Sequence, residues 1–169
     1  MVQVEVDILT GMYKLVKVYL VHECATPINE EVDRGQIAGA FFQGFGWCTF
    51  EEEIYDKKGR YLAVSPSTYK IPGIKDLPEV FEIEMVHLER KQSSVFGSKA
   101  IGEPPLIYGE AAFFAIKNAI EAVVGGKREA KLRMPATPEA VLLAVEELLK
   151  STNNEIGIAN AKKSEVLAN

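Results

Sequence analysis

The residue whose neighbours best equip it for chemistry is Glu103, in the stretch Phe96-Gly97-Ser98-Lys99-Ala100-Ile101-Gly102-Glu103-Pro104-Pro105-Leu106. Pro104 biases Glu103 toward an extended backbone and Pro105 stiffens the residues after it, so the carboxylate stands on a rigid arm. If Ile101, Pro104 and Leu106 exclude water, the charged form is disfavoured and Glu103 becomes a general base. The same residues also admit a solvated carboxylate in a proline-rich connection, with Lys99 a solvated charge. Gln43 lies in a glycine-rich run, where an amide satisfied by nearby backbone is the plainer reading. His22 and Cys24 share one face of an expected strand, and the only other histidine and cysteine are His87 and Cys48. Zinc normally wants three or four converging ligands, so packing is preferred there over a metal site. There is no GxSxG, P-loop, HExxH or dinucleotide fingerprint.

These groups have to be positioned by the elements around them. Val2, Val4, Val6 and Ile8 alternate with Gln3, Glu5 and Asp7, the period of a strand with one buried face. An apolar, β-branched run from Tyr13 to Val21 comes next, and Gly11 can supply the positive φ of a tight turn, which predicts an opening hairpin. Asn29 can cap a helix that starts near Glu30, with Glu30 and Glu31 at the positive end of its dipole, and runs to the late forties. Gly35, Gly39, Gly44 and Gly46 each weaken that helix by up to about 1 kcal/mol. Either the helix is packed on nearly all sides or it forms the wall of a site. Glu51 to Tyr55 and Arg60 to Val64, joined by Asp56-Lys57-Lys58-Gly59, predict a second hairpin. Phe81, Ile83 and Met85 predict a fifth strand.

The stretch from Arg90 to Leu106 has no period, as befits a functional loop. A helix is predicted from about Gly109 to Val124, closed by Gly125-Gly126. Another starts at Thr137-Pro138-Glu139 with Val141, Leu142, Val145, Leu148 and Leu149 on one face. The fold class is α+β: hairpins and a mainly antiparallel sheet packed with two to three helices, residues 1–150 forming the domain and 151–169 a polar, flexible tail.

The chain has 169 residues, 47% hydrophobic and 25% charged, with a formal charge of -5, which excludes disorder throughout and suits one globular domain. Its basic residues are scattered, which argues against nucleic acid as a partner. The longest apolar run, Ala38 to Phe50, is too short and too polar for a bilayer span, and the start shows no signal peptide, so no membrane is expected and the cytoplasm is the default location.

Three motifs then resemble a known family in order and spacing. They are Gly35-Gln36-Ile37-Ala38-Gly39-Ala40-Phe41-Phe42-Gln43-Gly44-Phe45-Gly46, then Pro66-Ser67-Thr68-Tyr69-Lys70-Ile71-Pro72, then Ser98-Lys99-Ala100-Ile101-Gly102-Glu103-Pro104-Pro105-Leu106. Together they resemble the C-terminal part of the molybdopterin-binding subunit of the xanthine dehydrogenases, within the molybdenum hydroxylases that include the aldehyde oxidases. The likeness extends to about Leu149. It implies molybdopterin as cofactor, Glu103 as the base at the molybdenum centre, and hydroxylation of an electron-poor carbon with oxygen from water. It implies that Gln43 contacts the pterin, that Gly44 and Gly46 let the cofactor approach the helix, and that Ser98, Lys99, Ala100, Ile101 and Gly102 line the site. Two prolines after the glutamate look more like the xanthine dehydrogenase branch than like GEG or GEA relatives, implying a hydroxypurine such as hypoxanthine or xanthine. The alternatives are an aldehyde or another N-heterocycle, or a non-catalytic assembly module.

Two cysteines cannot hold a [2Fe-2S] cluster, so such clusters and FAD belong to other domains or partner chains. The chain is thus expected to be a piece of a larger molybdopterin-binding subunit, or a small polypeptide completing one, and to be inactive alone. The face that meets the remainder is expected to be large and apolar.

Overall fold

The computed structural model describes residues 1–88 and 94–167, with side chains to Thr152. The elements are β1 (Val2–Val6), β2 (Tyr13–Glu23), α1 (Glu30–Thr49), β3 (Val80–Val86), α2 (Glu110–Ala122) and α3 (Pro138–Leu167). Short 3-10 turns lie at Ile74–Asp76, Val95–Gly97 and Pro104–Gly109.

The opening hairpin forms as its alternation requires. Val2, Val4 and Val6 are half-buried while Gln3 and Glu5 are exposed, and β1 runs antiparallel to β2 from Val2↔Val18 to Val6↔Tyr13. In the turn, the Asp7 carboxylate accepts hydrogen bonds from the Leu9 amide at 2.9 Å and the Thr10 hydroxyl at 2.8 Å. Gly11 has φ +72, and a Cβ there would stand 2.0 Å from the Pro138 carbonyl oxygen, so this glycine also lets the hairpin lie on the start of α3.

Helix α1 starts where Asn29 caps it: the side-chain oxygen accepts from the Glu31 amide at 3.1 Å and the Val32 amide at 3.2 Å, worth about 1 kcal/mol. It carries the chain from β2 to β3, which pair in parallel from Lys17↔Val80 to Glu23↔Val86. Such a pairing needs a crossover element, and α1 is that element. Leu15, Val18 and Leu20 of β2 close on Ile37, Phe41 and Phe45 of α1, with Ile101 and Ala112 in the same core. A second core joins α2 to α3 through Phe113, Ile116, Ile120, Val141, Ala144, Val145 and Leu148. The Thr137 hydroxyl accepts from the Ala140 amide at 3.3 Å as α3 begins.

The α+β class stands, with corrections of detail. The three-stranded sheet is mixed, one antiparallel and one parallel pairing, because alternation reports a buried face and not a strand's direction. The second hairpin shrinks to one bridge, Tyr55↔Tyr61. Its turn is well made, the Asp56 carboxylate accepting from the Lys58 amide at 2.8 Å and the Arg60 amide at 2.9 Å. However, Glu53, Ile54, Tyr55, Tyr61 and Leu62 are exposed, so no core face rewards a longer ladder. Helical backbone runs on to Leu167, through most of the stretch expected to be a flexible tail. The start of the aperiodic stretch, from Arg90 to Ser93, lies outside the described residues. Among the described residues no helix is long and apolar enough to cross a membrane.

The glycines of α1 divide by face. A Cβ on Gly44 would meet the Leu106 carbonyl oxygen at 2.0 Å, and one on Gly109 would meet the Gly44 carbonyl carbon at 2.2 Å, so backbone lies directly on backbone there. At Gly35 and Gly39 an added Cβ would meet nothing within 4 Å. Gly44→Ala should therefore cost about 1–3 kcal/mol by overpacking, whereas Gly39→Ala should raise the stability of the chain by up to about 1 kcal/mol through helix propensity. Urea unfolding of the two variants checks both signs.

Candidate active site

The arm that carries Glu103 is pinned on both sides, mostly by the end of β2. On the near side Ala25 pairs with Ser98 as an antiparallel bridge and the Thr26 amide donates to the Gly97 carbonyl at 3.3 Å. The Lys99 ammonium forms an ion pair with Glu23. Ile101 is 6% exposed and packs in the β2–α1 core. On the far side the Leu106 amide donates to the Glu103 carbonyl at 3.0 Å, starting the 3-10 turn. That turn rests on α1 through the Gly44–Gly109 contact, and the Tyr108 hydroxyl meets His22 Nδ1 at 2.7 Å.

Each expected site residue has a definite place. Glu103, Ala100 and Gly102 are exposed, and Ser98 donates its hydroxyl to the Val95 carbonyl at 2.8 Å. Pro104 is exposed and Leu106 half-buried, so the apolar enclosure expected around Glu103 is not built by the described residues. Lys99 is not a freely solvated charge, because Glu23 holds it. Gln43 is exposed and makes no side-chain hydrogen bond among the described residues, so its amide is not satisfied by nearby backbone as the plainer reading requires. Gly44 and Gly46 are buried; the side of Gly44 expected to admit a cofactor is filled by Leu106, and that of Gly46 by Glu51 and Pro72.

The open backbone lies elsewhere on the helix. Gly35, Gly39 and Gln43 recur at four-residue spacing, hence along one stripe of α1, and Gly102 approaches that helix at Gln36, 3.8 Å from a Cβ placed on it. Exposed amides of Gln36 and Gln43, bare helix backbone and an exposed carboxylate on a braced arm suit one wall around a hydrogen-bonding heterocyclic cofactor.

Of the residues that pin the arm, Glu23, Ala25 and Tyr108 carried no sequence signal of their own, and His22 was read only as a partner of Cys24. Among the described residues no group of three histidine, cysteine, aspartate or glutamate side chains could hold a metal ion. Cys24 is fully buried, which pushes its thiol pKa up, and its Sγ lies 3.5 Å from His87 Nδ1.

Burial first, and then the nearby Lys99 ammonium, pulls the His22 imidazole below its ordinary range, while Asp33 opposes this. The folded state thus keeps His22 neutral at a pH where the unfolded chain takes up a proton. Stability from this group is full above the ordinary histidine value of about 6.5 and falls as pH drops below it. The melting temperature of the chain should decline from pH 7 to pH 5, and His22→Gln should flatten that decline. The carboxylates held low, Asp7, Asp56 and Glu129, act only below their ordinary range near pH 4.

Residues 1–78 match the Molybdopterin cofactor-binding domain family. A xanthine dehydrogenase of Drosophila pseudoobscura pseudoobscura is 39% identical over 153 residues, which is 89% of this chain and 11% of that enzyme. Among solved structures, the quinoline 2-oxidoreductase from Pseudomonas putida 86 superposes with a TM-score of 0.72 at 30% identity, covering 85% of this chain and 18% of that one. The reconstituted CO dehydrogenase from Oligotropha carboxidovorans gives a TM-score of 0.73 at 25% identity, covering 86% and 17%. The chain therefore spans about a tenth of the length of the xanthine dehydrogenase it matches. Sequence and fold agree along nearly the whole chain: it belongs to the molybdenum hydroxylase family.

Proposed function

We propose that this chain supplies the general base and one wall of the cofactor pocket of a molybdenum hydroxylase of the xanthine dehydrogenase type. The observation that carries the proposal is Glu103, exposed yet held on an arm braced from both sides, beside a helix whose backbone is bare at Gly35 and Gly39. Bound molybdopterin supplies the redox chemistry that this chain lacks. Gln43 and Gln36 offer amide donors and acceptors toward the pterin. Ser98, Lys99, Ala100, Ile101 and Gly102 form the edge of the pocket, with Lys99 neutralised by Glu23 and Ile101 anchoring the edge in the core. Gly44 acts in this reading through packing, by letting Pro104–Gly109 sit against α1. With the cofactor bound, Glu103 would accept, on a carboxylate oxygen, the proton released by the water-derived hydroxyl that the cofactor presents.

A carboxylate gains proton affinity when water is excluded, and the neighbouring polypeptide has to provide that exclusion here. The exposed Trp47 and Phe96, 53% and 81% accessible, are apolar surface for that partner. The partners proposed are the remainder of the molybdopterin subunit and the iron-sulfur and flavin domains or chains. The substrate proposed is a hydroxypurine, on the Glu103-Pro104-Pro105 form of the motif and the likeness to a xanthine dehydrogenase. A quinoline enzyme among the structural neighbours supports another N-heterocycle as the second reading.

In the assembled holoenzyme, Glu103→Gln should lower turnover of xanthine by about two to four orders of magnitude, the usual contribution of a general base. Molybdenum content should stay unchanged. Full turnover by that variant would end the catalytic assignment, and turnover of xanthine by the purified chain alone would end the reading of it as one wall of a larger site.

A further inference from the structure

We infer that Glu23 is a positioning residue for the reaction, an inference that rests on reading Glu103 as the base. Glu23 closes β2, and its carboxylate uses both oxygens. Oε1 accepts from the Ala25 amide at 2.9 Å, and Oε2 meets the Lys99 ammonium. The first contact supports a turn that alanine rarely makes, since Ala25 has φ 55. The second reaches across to the arm, far along the chain.

The two contacts belong to one device. Ala25 is bridged to Ser98, and its carbonyl lies 3.1 Å from His87 Nδ1. The Glu23 side chain therefore fixes the turn that pairs with Ser98 and also holds the residue next to Ser98. Both groups of the ion pair are shielded in part, with side-chain exposures of 37% for Lys99 and 25% for Glu23, so bulk water does not fully screen them. From Lys99 the arm has one more anchor, Ile101 in the core, and then exposed Gly102 before Glu103. With Lys99 released, the anchor nearest Gly102 on that side is a single apolar side chain. A general base must stay within hydrogen-bond reach of its proton, so loosening this arm lowers the rate of the chemical step and leaves substrate binding alone.

The test uses Glu23→Gln, which keeps an oxygen for the Ala25 amide and removes the charge that Lys99 needs. In the assembled holoenzyme kcat should fall by about 10- to 100-fold, the range expected when a catalytic group is slightly misplaced. KM for xanthine, molybdenum content and melting temperature should stay at their wild-type values. Glu23→Asp, which restores the charge that Lys99 needs, should recover part of kcat. In the chain without cofactor, amide hydrogen exchange of Ser98 to Gly102 should quicken in Glu23→Gln while the β2–β3 amides keep their protection. Unchanged exchange and unchanged kcat would overturn the inference. A loss of kcat that comes with lost molybdenum or a lowered melting temperature would also overturn it, since Glu23 would then be a support of the fold at large. Glu103→Gln tests the parent reading separately: full turnover there removes the base, whereas exchange in Glu23→Gln still decides whether the carboxylate braces the arm.

Discussion

The architecture hangs on one close approach, the seating of the Pro104–Gly109 turn on α1 at Gly44 and Gly109. No side chain fits between those two backbones, so both positions are confined to glycine while the contact lasts. Everything downstream of Glu103 takes its place from this seat. The turn fixes where α2 starts, and α2 in turn joins the two cores, since Ala112 packs toward β2 and α1 while Phe113, Ile116 and Ile120 pack toward α3. Everything upstream of Glu103 takes its place from the end of β2. The carboxylate therefore sits at the junction of two separately anchored segments.

A single helix serves two purposes by dividing its glycines. Gly44 and Gly46 are consumed by internal packing, against Leu106 and Gly109 on one hand and Glu51 and Pro72 on the other. Gly35 and Gly39 face no neighbour among the described residues and cost helix stability for no internal return. Asn29 at the start and the apolar face of Ile37, Phe41 and Phe45 offset that cost. An open strip of this kind has a physical rationale when something outside the chain needs to reach the backbone.

How much of this was legible in sequence depends on the range of the interaction. The first hairpin, the Asn29 cap and the Thr137-Pro138 start of α3 were readable because each is decided within a few residues. The second hairpin misled for the same reason: Asp56 to Gly59 make a sound turn, but a ladder also needs a face to bury, which the local sequence does not reveal. The direction of β3 was unreadable, since a period of two is blind to parallel and antiparallel neighbours. Of the proposed site, Glu103 and Gln43 were singled out through proline chemistry and motif resemblance. The groups that aim Glu103 were not, because Glu23 and Lys99, or His22 and Tyr108, meet only after the chain has folded back over its length. Gly44 was legible as a need for closeness, although the neighbour it admits is the chain itself.

The parallel pairing of β2 with β3 has a kinetic consequence. Residues 17–23 find residues 80–86 only after the whole intervening crossover has been gathered in, and closing so long a loop delays assembly more than forming a local hairpin does. Cys24, Ala25 and Thr26, which receive Val86 and Gly97 through their amides and Ser98 by bridging, come after that event. On this topology the edge proposed to carry Glu103 is expected to form after the parallel pairing rather than before it.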